Sequence, residues 1–272
     1  MMRAARRDEL DLVVGWAADE GWNPGLDDAS AFYCADPDGF FVAERVGRPV
    51  AAISVVNHSD TFAFLGLYLC LPAWRGQGIG HALWQHALAH AGNRSVGLDG
   101  VAAQQANYAK SGFVHAGATL RFAGTLAAQV APDIRPARPT DDLAALDRAA
   151  FGYARPRFLS AWIRDTATRR TLVSDAGASA AGFATIRRCR DGVKIGPIVA
   201  PDAAAGLRLA RAAVAALPAR TAIIDVPGEN AQLIALLAEA GFRETFATAR
   251  MFRGRAPRTG PNGQAIGTME LG

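Results

Sequence analysis

The sequence predicts an α/β (α+β) chain of two similar domains in tandem. Through Phe122, apolar strand patterns and amphipathic helix patterns follow the order strand, two helices, three strands, helix, strand, helix, strand. After a stretch broken by Pro132, Pro136 and Pro139, the same order begins again. A single offset of 129 positions lays Pro72 on Pro201 and Gly112-Phe113 on Gly241-Phe242, as a tandem duplication would. These observations place the domains at 1–128 and 134–254, with 255–272 as a C-terminal tail.

The elements follow from local chemistry. A short strand precedes a helix carrying Leu10, Leu12, Val13, Val14 and Trp16, stopped by Gly21-Trp22-Asn23-Pro24-Gly25. Asp27 or Asp28 caps a second helix containing Phe32 and Tyr33. Strands are expected at 40–45 and 49–56, joined through Gly47, then a polar turn at 57–60 and a central strand ending near Leu71. Ile79, Leu83, Trp84, Ala87, Leu88 and Ala91 share one face of the next helix. Ser95–Leu98 is a fifth strand, Ala103–Lys110 a short helix ended by Ser111-Gly112, and Phe113–Phe122 the closing strands. In the second domain, helices are expected at 141–150 and 157–163 and strands at 171–174, 181–187 and 193–199. A helix over Leu207, Ala210, Val214 and Leu217, a strand at 222–226 and a helix over Leu233, Leu236, Leu237 and Ala240 follow. Gly260-Pro261-Asn262-Gly263 is a turn, and Ala265–Leu271 is apolar enough to fold back as a short extended segment; a frayed end is the alternative.

Half the residues are hydrophobic and a fifth charged, a globular composition. The net charge of +4 is almost all arginine, Lys110 and Lys194 being the lysines. The arginines are scattered and form no long basic block interleaved with aromatics, which argues against nucleic-acid binding. Asp8, Glu9 and Asp11 interrupt any secretory segment, and the apolar run 62–74 is too short to span a bilayer. Cys34, Cys70 and Cys189 make no metal pattern and suit a reducing cytoplasm. His86 and His90 lie four apart on a helix but lack a third ligand, so no metal is expected.

The central stretch is Leu65–Gly80: apolar strand, proline turn, glycine-rich loop, helix start. Such a junction binds anions, because unpaired first-turn amides point outward and glycine lets the backbone approach closely. No Gly-Lys-Ser/Thr follows, so it is not a phosphate loop, and Gly76, Gly78 and Gly80 lack dinucleotide spacing. Arg75-Gly76-Gln77-Gly78-Ile79-Gly80 resembles the acyl-CoA loop of the GNAT N-acetyltransferase superfamily, Gln/Arg-x-x-Gly-x-Gly/Ala. Gly21–Gly25, Leu98-Asp99-Gly100, Gln104–Tyr108, Asp225-Val226-Pro227 and Arg250–Gly254 extend the resemblance to a bacterial tandem subgroup with an intact first and a degenerate second domain. Each domain is then a mixed, mostly antiparallel sheet flanked by helices.

The resemblance implies acetyl-CoA as cofactor, held by Arg75, Gly76, Gln77, Gly78, Ile79 and Gly80. It also implies backbone pairing of the acyl arm with Leu69, Cys70 and Leu71, and a contact from Asn107. Tyr108, four residues before Gly112-Phe113, is the expected proton donor to the leaving thiolate. The central strand offers Gly66, Tyr68 and Cys70 where the family often carries a glutamate, so Asp99 is the nearest base. Trp22, Asn23, Phe32 and Asp225 are candidate substrate contacts. At offset 129 the loop becomes Ala204-Ala205-Gly206-Leu207-Arg208-Leu209 and Tyr108 becomes Leu237, so one acyl-CoA site per chain is expected, in the first domain. The expected activity is transfer to a small amine or amino-acid-like metabolite, by a monomer or homodimer. A non-catalytic acyl-CoA sensor and a protein N-acetyltransferase are the alternatives.

Overall fold

In the computed structural model, which describes residues 1–177 and 179–272, each half of the chain repeats one order of elements. The first half runs Met2–Ala4 (β1), Arg7–Asp19 (α1), Asp28–Ala35 (α2), Phe40–Arg45 (β2), Arg48–Asn57 (β3), Phe62–Cys70 (β4), Ile79–Leu88 (α3), Ser95–Gly100 (β5), Gln105–Lys110 (α4) and Val114–Gly124 (β6). The second runs Ile134–Pro136 (β7), Leu143–Phe151 (α5), Pro156–Trp162 (α6), Arg169–Ala176 (β8), Ser179–Arg188 (β9), Val193–Val199 (β10), Ala203–Ala216 (α7), Ala222–Pro227 (β11), Ala231–Glu239 (α8) and Arg243–Arg253 (β12). Gly263–Ala265 (β13) ends the series. Helix starts are chemically marked: Asp142, Asp202 and Asn230 accept the amides of Ala145, Ala205 and Leu233, capping α5, α7 and α8.

The strands form one sheet in the order β1-β2-β3-β4-β5-β12-β6-β11-β10-β9-β8-β7, with β13 on β10. All pairs are antiparallel except β4–β5 and β10–β11. The final strands of the two halves are exchanged. β12 lies beside β5, β6 lies beside β11, and β6 and β12 pair with each other at the centre. Thr119 faces Thr248, its own equivalent at offset 129, so the pseudo-twofold axis passes between them. A linear division at 128 and 134 therefore does not describe the sheet, because each half is completed by the other's last strand.

Two elements lie outside the sequence expectation. β7 is only three residues long, within what reads as a proline linker; Pro136 is tolerated because β7 is an edge strand. β12 begins Arg243-Glu244-Thr245, without the alternation that marks a strand, because its first five residues are exposed. The end of the tail, residues 264–272, is buried, yet its strand pairing stops at Ala265.

Two apolar clusters lie under α3 and under α7–α8, each completed by the exchanged strand of the other half through Ala249 and Met251 or through Phe122. Two others combine both halves: Phe32 with Phe158, Trp162 and Leu271, and Phe62 and Phe64 with Phe151, Phe183 and Met269. Buried ions are paired within this shared core. Asp28 takes Arg169 at 2.7 Å and Arg187 at 3.1 Å, and the two guanidiniums lie over Trp162. One carboxylate shared by two guanidiniums, and an indole ring within 4.5 Å of each guanidinium, lower the cost of burying these charges. Among the described residues no helix is long and apolar enough to cross a membrane.

Candidate active site

Strands β4 and β5 pair only from Phe62/Ser95 to Leu65/Leu98, although both run further. Their unpaired ends leave backbone groups of β4 without a strand partner on that side. Between its Gly66 and Leu69 pairings β4 carries one residue more than β3, and Leu67 takes a φ of 45°. Such a bulge twists the strand and re-aims its amides.

Beyond β4, Pro72–Trp74 makes a 3-10 turn, and Gly76 and Gly78 both adopt φ of 76°. A side chain at either would be strained, and neither has an atom within 4 Å of where its Cβ would stand. Gly78 caps α3 without any side-chain acceptor, so the first-turn amides remain free to meet an anion. Ile79 is buried and seats the helix. The side chains of Arg75 and Gln77 are engaged locally: Arg75 pairs with Glu20 and donates Nε to the Cys70 carbonyl (2.8 Å), while Gln77 donates to Ala73. Gly80 is required by packing, since a Cβ there would lie 2.8 Å from the Tyr68 hydroxyl.

Three rings stand at the opening between β4 and β5. Trp84 stacks on Tyr108 (5.2 Å, 15°) and meets Tyr68 edge-on (5.4 Å, 65°). Burial pushes both tyrosine hydroxyls above their ordinary range, Tyr108 strongly. Gly100 makes the room, because a Cβ there would stand 2.9 Å from the Tyr108 ring.

On one side of these rings a groove of about 910 Å³ runs between α3 and α4, bordered by His81, Trp84, Gln85, Asn107 and Arg253. The indole N–H of Trp84 is buried there without an acceptor among the described residues, a donor suited to a carbonyl-bearing ligand. Asn107 is exposed and donates to Gln104 (2.9 Å). On the other side lies a cavity of about 80 Å³, lined chiefly by apolar groups including Trp22, Leu67, Leu98, Phe246 and Met269. Tyr68, Gln104 and Tyr108 border both spaces. The residues fit an acyl-CoA: free amides for its phosphates, a groove for its arm, and a bulged strand whose Leu65–Tyr68 stretch lines a small second chamber.

Asp99 reaches the cavity but is fully engaged. Arg250 holds both its oxygens (2.9 and 2.7 Å), and Thr119 and Thr248 donate to Oδ1. Burial works against the Arg250 charge, but Asp99 outweighs it and holds the guanidinium above its ordinary range. Asp225 does not line the cavity. It grips Arg121 through two bonds of 2.7 and 2.8 Å, and Arg121 does line it. Burial raises the Asp225 carboxyl, but Arg121 outweighs this and keeps it below its ordinary range.

Trp22 lines the cavity, and its carbonyl is held by Arg121 (3.1 Å) and Lys194 (2.8 Å). Burial lowers the Lys194 ammonium, with the Glu270 charge pulling the other way. Asn23 and Phe32 are elsewhere. Asn23 exchanges hydrogen bonds with Asp191 of the second half, and Phe32 is core, stacked on Trp162 at 6.0 Å. Cys70 is half-buried, and burial pushes its thiol up. His90 bonds Asp36 at 2.8 Å.

Sequence reasoning misses Arg121, Phe246, Thr248, Arg250, Met269 and Glu270, all brought in by the exchanged strands and the tail. One signal was present: a glycine inside an apolar strand marks close approach of another backbone. Gly66 is that glycine, since a Cβ there would collide with the Glu270 carbonyl oxygen.

The second half is closed at each corresponding point. Asp202 caps α7 with its own carboxylate (2.8 Å), α7 packs directly on α8, and Leu237 is buried in the core. β10 and β11 pair only at Val193/Ala222 and Lys194/Ile223. Beyond that point the tail enters, with Ala265 beside Ile198 and Ile266 donating to the Asp225 carbonyl (3.0 Å).

Residues 7–113 match the model of the acetyltransferase (GNAT) family, and residues 143–267 match an acetyltransferase (GNAT) domain. The chain is 37% identical over 276 residues to the holothin acyltransferase of Pseudoalteromonas sp. (strain SANK 73390), covering 99% of this chain and 94% of that protein. In fold it is similar to a crystal structure from Pyrococcus horikoshii described as a candidate acetyltransferase (TM-score 0.84, 21% identity, 100% and 95% of the two chains). It is similar also to a tandem GNAT protein from the clavulanic acid biosynthesis pathway, solved without AcCoA (TM-score 0.63, 18% identity, 93% and 97%). A bulged strand leading through a glycine turn to an uncapped helix, with a groove beside it, defines an acyl-CoA-dependent transferase. The chain belongs to the GNAT acetyltransferase family, as a tandem member and an acyltransferase.

Proposed function

We propose that this enzyme transfers an acetyl group from acetyl-CoA to the amine of a small, compact acceptor, with one acyl-CoA site per chain. The observation that carries the reading is that the groove and the apolar cavity meet at Tyr68, Gln104 and Tyr108. Two chambers joined at a phenol suit a donor and an acceptor that react between them.

Acetyl-CoA supplies the acyl group already activated as a thioester. Amides around Gly76–Gly80 hold its phosphates, and the Leu69–Leu71 backbone orients its arm and polarises the acyl carbonyl. The Tyr108 hydroxyl gives its proton to the departing sulfur. The buried phenol carries its proton in the free enzyme, and the negative charge developing on the sulfur beside it draws that proton off. Trp22, Phe246 and Met269 exclude water from the acceptor chamber. The relative from Pseudoalteromonas is named for holothin, which makes holothin the first acceptor to try. The halves 1–128 and 134–254 are read as repeats of one ancestral unit, the second having lost its ligand. Asp202, Leu237 and β13 stand where free amides, the phenol and an open strand edge would be needed.

The test is to screen amines with acetyl-CoA and follow thiol release, then repeat the best pair with Tyr108→Phe. A fall of about 100-fold in kcat with acetyl-CoA affinity retained supports the reading. Full activity removes Tyr108 from the chemistry. Tight acetyl-CoA binding without thiol release from any amine makes the protein a sensor, and two acetyl-CoA per chain refutes a single site.

A further inference from the structure

The central strand lacks an acid facing the acceptor chamber, and the Asp99 side chain is fully buried with both oxygens bound by Arg250. Three charged side chains line that chamber: Asp99, Arg121 and Glu270. Arg121 spends its nitrogens on Asp225 and the Trp22 carbonyl. Glu270 differs. Its Oε2 accepts from Thr268, and no donor reaches Oε1 among the described residues. Of the two carboxylates lining the chamber it is therefore the one with an oxygen that no donor reaches among the described residues, in a wall otherwise mostly apolar.

Its position is built rather than incidental. The tail is fixed upstream by β13 on β10 and by Gln264, which donates to Ala200 (3.1 Å) and accepts from Asn230 (2.8 Å). Downstream, the Leu271 carbonyl accepts from His58 Nε2 (2.8 Å) and Arg155 donates to the Gly272 carbonyl. Between these anchors the backbone passes so close to Gly66 that no other residue would fit there. The strap is thus locked against the bulged strand on the wall of the acceptor chamber.

We infer that Glu270, carried into the active site by the C-terminal strap, is the group that receives the acceptor's ammonium and takes its proton. This rests on the amine-transfer reading above. The acceptor enters protonated, and Glu270 removes one proton. The freed lone pair forms the N–C bond to the acyl carbon while the C–S bond breaks, and the sulfur leaves with the Tyr108 proton. The second proton shed by nitrogen restores Tyr108, so one proton in all passes through Glu270 to solvent. An acceptor for this site is a compact apolar body bearing one basic amine.

The experiment uses the full chain with acetyl-CoA, and holothin, benzylamine and propylamine as probe amines. Thiol release is read from pH 6 to 9, and affinities for acetyl-CoA and for the probe amine (with CoA bound) are read by calorimetry. Glu270→Gln is expected to lower kcat/KM for the amine about 100-fold, weaken amine binding, and leave acetyl-CoA affinity unchanged. Wild-type kcat/KM with an unaltered pH profile in Glu270→Gln overturns the inference while leaving the transferase reading intact. No thiol release by the wild type with any probe, despite acetyl-CoA binding, overturns the amine-transfer reading and this role with it. Should Glu270→Gln fail to fold, Glu270→Asp is read instead, since it keeps the charge near Lys194 but withdraws the carboxylate by one methylene. Wild-type kcat/KM in Glu270→Asp overturns the role, and a tenfold or larger loss at unchanged acetyl-CoA affinity supports it.

Discussion

Gly100 has no side chain to contribute, yet the position of Tyr108 depends on it. A methyl group there would press the phenol ring at 2.9 Å, well inside contact distance. Gly100→Ala is expected to shift the ring off Trp84, cost about 1–3 kcal/mol of stability through overpacking, and lower kcat nearly as far as Tyr108→Phe. Steady-state kinetics beside a thermal melt check both parts; full turnover with a normal Tm would show that the ring position does not matter. At this scale the sequence was informative where function lies within one segment. Gly76–Gly80 carry a local motif and Tyr108 lies four residues before Gly112-Phe113, so short-range pattern alone suffices to propose them. Asp99 was visible as an acid at a strand end, but its partner Arg250 lies 151 residues on. A carboxylate's availability is decided by its partners, and no local pattern reveals a partner at that distance.

The tail shows the same limit at the scale of an element. Its apolar residues 265–271 announced burial, but only the path of the backbone places Glu270 against Gly66. Its end is held by His58, whose Nε2 must donate to the Leu271 carbonyl, leaving Nδ1 buried without a partner among rings of Phe62, Tyr153 and Phe158. Burial, aided by the nearby Arg155 charge and opposed by the Leu271 hydrogen bond and Asp36, pushes the His58 pKa from 6.5 down to about 4. The folded state therefore binds fewer protons than the unfolded one between these values. Stability from this group is complete above pH 6.5 and is lost as pH falls toward 4, by roughly 3 kcal/mol. Urea unfolding at pH 7 and pH 4.5 is expected to show a steeper loss for wild type than for His58→Gln, which keeps a donor for Leu271. Equal slopes would contradict the assignment. Repeated elements such as α3 and α7 were legible because amphipathic periodicity is local. β7 and β12 were not, one being three residues long and the other starting with exposed polar residues.

For the whole molecule the exchange of β6 and β12 is the dominant fact. The offset of 129 revealed two copies, but strand partners are chosen by the folded sheet, and an exchanged pair has the same sequence as an unexchanged one. Cleavage in the connection between β6 and β7, residues 125–133, is expected to leave the two pieces bound through the β6–β12, β5–β12 and β6–β11 ladders. They should co-elute and keep acetyl-CoA affinity until denaturant is added, with size-exclusion chromatography of the nicked chain as the check. Spontaneous separation into two folded domains would show that the exchange contributes little. The exchange also bears on synthesis. The glycine loop proposed to hold the donor is complete by residue 80 and the phenol by residue 108, yet the strand beside β5 is made only at 243–253 and the Glu270 carboxylate later still. While the ribosome is still translating the second copy, the first has an open sheet edge and an acceptor chamber without walls. Long-range pairing of this kind folds late and slowly. A chain stopped in its second half would bear a recognisable acyl-CoA motif and catalyse nothing.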